Sequence, residues 1–533
     1  MITVEATVEN ARKVRQISVK HGLSFDARLD AILNNIPRET HLPNFNFVLK
    51  GYQADAVAWL EAHGGRGILG DEMGLGKTCI LFAYAHKNNM FPMAVVCPDS
   101  LKYNWRNEII AMTGNRYKIN IVGQTLSRKA EAAALARHPN VVYSKVPTSG
   151  CDVYLINYDI VSANVENIEA LNLKFLAADE SQKLKNSSAN RTTAVVRLAT
   201  GIKIIKQGKR TIKEISGKGI SSVVFASGTP IVNRPLELWT SVNTLAPWVP
   251  QFSEFKKFAF RYCAPVNNAF GWDFTGSSNA DELNNLLVSH CMIRRLKQDV
   301  LKELPPKTHT TIPLDFDRRE YDKVAAAFKG IDWKGGIEAL VKFGGNAPKS
   351  DEAIVAVQKL REIAGYSKLE SSVEWIRDYC EHGEKLVVFA HHRQVINNIK
   401  SALEEDSSYN GKVEVIYGGM SNQDRDAAVA RFQNDATVRV IIVGIDAGGA
   451  GLTLTAAKSV AFVQLPWSAG SMNQCSDRVH RIGQTASNVQ VFVLTAENTI
   501  EDDMASLIMS KANVMDEVLD GGRVVNSFDI TAR

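Results

Sequence analysis

Nine consecutive residues constrain this chain more than any other stretch: Gly70-Asp71-Glu72-Met73-Gly74-Leu75-Gly76-Lys77-Thr78 obeys the spacing G-x-x-x-x-G-K-T between an apolar strand and a helix. Glycines let a backbone wrap a polyphosphate with its amides pointing inward, which side chains at those positions would hinder. The helix that follows turns its positive end to the same anion. Lys77 can then reach the β and γ phosphates, and the Thr78 hydroxyl can ligate Mg²⁺. The bland alternative is a Gly-rich turn before a core helix, and the flanking strand and helix weigh against it. The loop points to a nucleoside triphosphate and says little about what is done with it.

A triphosphatase needs a second carboxylate on the metal side and a group to orient water. Asp179 and Glu180 end the apolar run FLAADE, where a strand-end Asp can bind Mg²⁺ and its neighbour can orient the attacking water. An acidic pair at a strand end is also common on solvated turns, so its weight comes from Lys77 and Thr78. Phosphoryl transfer spreads negative charge over the γ oxygens, so an arginine delivered from an opposing surface accelerates it. The stretch QCSDRVHRIGQ places Arg478 and Arg481 three apart, on one face if helical. A surface helix with paired charges is the plain alternative.

The wider pattern is α/β. Short apolar strands at 93–98, 152–158, 175–180 and 221–230 alternate with helical stretches, and a second series follows at 385–392, 413–419, 438–452, 459–466 and 489–496. Such alternation predicts parallel sheets covered on both faces. Between the series, longer helical patterns rich in Lys, Arg and aromatics take over. The expected organisation is an N-terminal extension over 1–45, an ATP-binding lobe over 46–245, helical protrusions and linker over 246–380, a second lobe over 381–515 and a tail over 516–533. The 533 residues, at roughly 150 per domain, allow that many units. Hydrophobic residues at 45% and charged residues at 22% exclude a disordered chain, and no apolar run approaches the roughly 20 residues needed to span a bilayer. The charge, 62 − 57 = +5, neither requires nor excludes nucleic acid, so a polyanion site must come from local clustering. The seven cysteines never form CxxC, which fits reduced thiols in a cytosol-like compartment and argues against a zinc ribbon. The first residues lack the apolar segment of a secretory signal.

The ordered series GDEMGLGKT, DES, SGTP, GGAGLTLT and QCSDRVHRIGQ resembles the motif set of superfamily 2 helicase-like ATPases, specifically the Swi/Snf family, over about residues 48–515. DRVHRIGQ and MIRRLKQDVLKELPPK (292–307) are highly specific to that family. The segments at 255–283, 227–239 and 387–396 are similar to its annealing-helicase (HARP-related) branch. The resemblance implies two RecA-like lobes that close on ATP and Mg²⁺ and track along duplex or forked DNA with little sequence preference. By this likeness Gln53 reads the adenine, and Gly74, Gly76, Lys77 and Thr78 hold the nucleotide. Thr78 and Asp179 hold Mg²⁺, and Glu180 is the catalytic carboxylate. Ser227, Gly228 and Thr229 form motif III. Gly449, Gly451, Leu452 and Thr453 fall in motif V, and Gln474, Arg478 and Arg481 in motif VI, with Arg481 the preferred finger and Arg478 its companion. Segments 98–105 and 156–159, with His391-His392 and 418–421 in the second lobe, resemble strand-tracking motifs. One departure stands out: members commonly carry His at the fourth position of the acidic motif, where this chain has Gln182. Gln cannot take up a proton near neutral pH, which puts the coupling of hydrolysis to DNA in doubt.

The leading expectation is therefore a double-stranded DNA translocase that remodels or re-anneals forks and junctions, with a strand-separating helicase or a weakly catalytic DNA-binding module as alternatives. Protein partners are not legible. Chromatin remodelling is disfavoured by the lack of a histone-reader module, and the length suits a prokaryotic or viral cytoplasm, or a nucleus if the source is eukaryotic. Residues 203–219 carry six cations and predict a basic hairpin turning near Gly208, solvated or touching DNA. Trp272 and Phe274 suggest either an aromatic wedge for junctions or ordinary packing in a helical protrusion. The MIRRLK run either braces the lobes or touches phosphates.

Overall fold

Apolar runs such as Met93–Cys97 and Leu386–Ala390 are buried along their whole length in the computed structural model, as strands covered on both faces must be. The structure describes residues 39–522 apart from 208–209, 269–270, 302, 343–351, 410 and 449–450. Fourteen strands form two sheets. The first sheet uses β1 (Arg66–Leu69), β2 (Met93–Cys97), β3 (Ile119–Val122), β4 (Val141–Ser144), β5 (Val153–Asn157), β6 (Phe175–Asp179), β7 (Ser222–Ala226) and β8 (Met292–Ile293). Their spatial order is β8-β1-β7-β6-β2-β5-β3-β4, every pair parallel. The second sheet uses β9 (Lys307–Pro313), β10 (Leu386–Ala390), β11 (Lys412–Ile416), β12 (Val438–Gly444), β13 (Ser459–Phe462) and β14 (Val489–Thr495), in the order β9-β14-β13-β10-β12-β11, also all parallel.

Side-chain alternation builds a core on each face of each sheet. In β7, Val223 and Phe225 enter one core while Val224 and Ala226 enter the other. In β10, Val387 and Phe389 face one side while Leu386, Val388 and Ala390 face the opposite one. The helices that matter below are α1 (Gly51–Ala62), α2 (Lys77–Lys87), α3 (Lys102–Thr113), α4 (Ala280–His290), α5 (Glu352–Ser367), α6 (Ala469–Ser476) and α7 (Ile500–Asp520).

The middle segment departs from the helical expectation. Met292–Ile293 adds an edge strand to the first sheet and Lys307–Pro313 one to the second, so residues 246–380 contribute to both lobes. Trp272 lies on a strand too, Gly271–Asp273, paired in a short hairpin with Val266–Asn268. Its ring and that of Phe274 pack on Phe260, so Trp272 is half exposed on an aromatic cluster rather than on a helix. The basic segment forms the expected hairpin, Ile202–Gln207 with Arg210–Ile215, while Gly208 and Lys209 lie outside the described residues. Helix α7 crosses the expected end of the second lobe. Ile500, Met504 and Ile508 pack into the second lobe's core, whereas Met515, Val518 and Leu519 pack into the first lobe's core beside α4. Among the described residues no helix is long and apolar enough to cross a membrane.

Candidate nucleotide site between two lobes

The glycine loop leaves β1 and enters α2 at Lys77, with Gly74 at φ 85° and Gly76 at φ 78°. Both values lie where a side chain is strained, which is why the loop needs glycine there. Lys77 Nζ rests on loop carbonyls, 3.0 Å from Asp71 O, and Thr78 is half-buried in the first turn of α2. Gln53, buried on α1, accepts from Lys50 N (3.0 Å) and donates to Leu75 O (3.3 Å), so its amide ties the loop to α1.

Asp179 ends β6 and is 7% exposed. Trp105 of α3 donates its indole N–H to Asp179 Oδ2 (2.9 Å), and Glu180 N donates to Oδ1 (3.0 Å). Burial, with the Glu180 charge beside it, lifts the Asp179 carboxyl to about 6. Glu180 is held at φ 53°, an unusual value for a side-chain-bearing residue. Gln182 Nε2 donates to Glu180 Oε2 (2.7 Å), Ser227 Oγ donates to Gln182 Oε1 (2.7 Å), and Thr229 N donates to Ser227 Oγ (3.0 Å). The departure at Gln182 therefore sits inside a continuous polar path from the acidic motif to motif III. That path reaches the second lobe, because a β-carbon at Gly470 of α6 would stand 3.4 Å from Thr229 Cγ2.

The second lobe presents its arginines to this cleft. Burial pulls the Arg478 guanidinium down while the Glu180 carboxylate, across the cleft, supports its charge. Arg481 donates to Leu452 O (3.0 Å) and Thr453 Oγ1 (2.9 Å), and a β-carbon on Gly74 would lie 3.4 Å from Arg481 Cβ. Arg481 thus faces the phosphate loop and not open solvent. Gln474 is half-buried on α6, one turn before Arg478. Gly451 approaches Leu101 and Asn104 beside α3, while Gly449 lies outside the described residues.

The MIRRLK run is a brace. Arg294 forks onto Asp520 at the end of α7 (2.7 and 2.8 Å) and donates to Gly70 O (2.8 Å) and Gly228 O (3.2 Å). Arg295 pairs with buried Asp71 and donates to Tyr52 O. Lys297, 3% exposed, joins the lobes: its backbone N donates to Glu72 Oε2 (2.6 Å), while Nζ meets Asp477 Oδ2 (2.8 Å) and His480 O (2.8 Å). Burial would raise Asp477, but Lys297 and Lys307 hold it far below the usual carboxylate range. Sequence reasoning missed Trp105, Asp71 and Asp477. Only the basic run itself signalled that buried acids must lie opposite.

The cradle fits a Mg²⁺–nucleotide. It offers two left-handed glycines, a lysine satisfied only by loop carbonyls among the printed bonds, and a buried acid whose raised affinity for a proton marks a place for a cation. Fold and site together define a two-lobed P-loop protein with RecA-like lobes. The SNF2-related domain profile matches residues 52–208 and 209–329, and the helicase conserved C-terminal domain profile matches 368–483. The chain belongs to the SNF2-related family. It is 32% identical over 481 residues to the SWI/SNF-related matrix-associated actin-dependent regulator of chromatin subfamily A-like protein 1 of Xenopus laevis, covering 88% of this chain and 44% of that protein. It is 30% identical to the DNA annealing helicase and endonuclease ZRANB3 of Homo sapiens, covering 88% and 40%. The chain thus spans less than half the length of these relatives. Among solved structures, the Sulfolobus solfataricus SWI2/SNF2 ATPase core in complex with dsDNA aligns over 92% of this chain and 97% of that one, at 22% identity and a TM-score of 0.39.

Proposed function

We propose that this chain is an ATP-dependent translocase on double-stranded DNA that remodels or re-anneals forks and junctions in repair, replication or recombination. The observation that carries this reading is the cleft itself, where Lys77, Asp179 and Glu180 of one lobe meet Arg478 and Arg481 of the other. The similarity to a relative named as a DNA annealing helicase supports the same direction. When bound, Mg–ATP supplies the phosphoanhydride to be split. Lys77 and the amides around Gly74 and Gly76 hold its phosphates, Thr78 and Asp179 hold the metal, and Gln53, Gly449 and Gln474 border the nucleotide. Glu180 orients water and takes its proton. Arg478 and Arg481 offset the charge that develops, so turnover requires both lobes. Duplex contacts are to phosphates, which explains the lack of expected sequence preference.

The test is ATP turnover with single-stranded, duplex and forked DNA at matched salt, beside Glu180→Gln and Arg481→Ala. Duplex or forked DNA should stimulate the parent, and each substitution should lower turnover by about 10²-fold or more. Turnover indifferent to DNA removes the translocase reading. Efficient strand displacement in a parallel assay replaces it with a separating helicase, and a parent rate no higher than that of Glu180→Gln replaces it with a weakly catalytic binding module.

A further inference from the structure

The second sheet has a feature that the nucleotide cleft does not use. The chain leaves β10 toward β11 on one side of the sheet and leaves β13 toward β14 on the other, and β10 and β13 are neighbours. The crevice beyond the carboxyl ends of two such strands is where α/β sheets bind ligands. A cavity of about 410 Å³ opens there, within the roughly 300–1,000 Å³ of small-molecule sites. Its walls are Gln358, Lys359 and Arg361 from α5, His391 and His392 after β10, and Trp467 after β13.

Arg361 is the unusual member. It is 2% exposed and stacks its guanidinium 4.3 Å over the Trp467 ring. Nη2 donates to Leu465 O, but Nε has no hydrogen-bond partner and no carboxylate forms an ion pair with it among the described residues. A buried guanidinium without a counter-anion costs several kcal/mol. His391 Nδ1, also buried on this wall, lacks a partner as well. The turn that carries it is rigid: Gln464 Oε1 accepts from His391 N (2.9 Å) and His392 N (3.0 Å), and Gln464 Nε2 meets His392 Nδ1 (2.8 Å). Burial, with Arg361 close by, holds His391 near 3, so its ring is neutral and can offer Nδ1–H as a donor. Lys359 is already paired with Glu362 at the rim (3.0 Å), which leaves Arg361 as the cation the cavity does not neutralise.

We infer that this crevice is a second anion site, built on Arg361 and His391, that takes a phosphate group. The group can come from a duplex backbone or from free phosphate. The site stands apart from the nucleotide cleft, and only its assignment to a backbone phosphodiester rests on the translocase reading.

Two measurements on the full chain decide it. In a Lys77→Ala background, which weakens phosphate binding at the glycine loop, inorganic phosphate should raise the melting temperature by about 2 °C or more. Arg361→Met should abolish that rise, and so should Val355→Glu. Val355 is 42% exposed and lines the cavity, so this second variant sets a repelling charge there without disturbing the buried arginine. In the parent background, the slope of log affinity for duplex DNA against log salt is then compared. A slope reduced by about one in both variants identifies a backbone phosphodiester, with or without a response to free phosphate. An unchanged slope with the phosphate response lost identifies a free phosphate. Variants that keep the parent's phosphate response and salt slope overturn the site, as does a parent with no phosphate response whose slope the variants leave unchanged.

Discussion

The Gln182 amide donates to Glu180 and accepts from Ser227, and neither job requires a group that titrates near neutral pH. A neutral amide can therefore hold the acidic motif to motif III where relatives commonly use histidine. Gln182→Ala leaves Glu180 and Ser227 each short of a bond, at about 1–2 kcal/mol. The ratio of duplex-stimulated to basal ATP turnover should fall about tenfold, and an unchanged ratio rejects the path. His391 supplies a second test at this scale. Its folded value of about 3 lies below the unfolded 6.5, so both states are neutral above pH 6.5. Below that, the unfolded chain gains a proton that the folded chain refuses, and stability falls by about 1.4 kcal/mol per pH unit until the folded value is reached. Urea midpoints at pH 7 and pH 5 should show this loss, and His391→Gln should flatten it.

Among the elements, local spacing made the glycine loop and the strands at 93–97, 175–179 and 386–390 legible, because neighbours in sequence alone produce those patterns. Lys307–Pro313 was not legible. As an edge strand it alternates half-buried and exposed positions, and KTHTTIP carries no apolar run. The two-residue strand Met292–Ile293 is shorter than any periodicity can register. Partners such as Arg295 with Asp71 are 224 residues apart, so only the folded chain pairs them. Helix α7 belongs to the same class: its amphipathic pattern reveals buried faces but not that they serve different lobes. Its last residue, Asp520, is 6% exposed and neutralises buried Arg294. Asp520→Ala should cost about 3–5 kcal/mol by stranding that cation, whereas Arg294→Met with Asp520→Leu should cost less. Denaturation midpoints of the two variants distinguish a paired charge from mere packing.

For the whole molecule, Lys297 is the point where the phosphate loop and motif VI are fastened together, through Glu72 on one side and Asp477 with His480 on the other. Lys297→Met should loosen the closed arrangement, read as a larger radius of gyration in solution scattering together with lower ATP turnover. An unchanged radius with normal turnover shows that the lobes stay together without it. Helix α7 carries a further consequence for how such a chain is made. Met515, Val518 and Leu519 complete a core whose other walls lie hundreds of residues earlier, at positions such as Phe225 and Leu287. As the polypeptide emerges from a ribosome, its amino-terminal half waits with an unsealed apolar surface until the final helix arrives. The last segment translated is the one that closes the first half to be built.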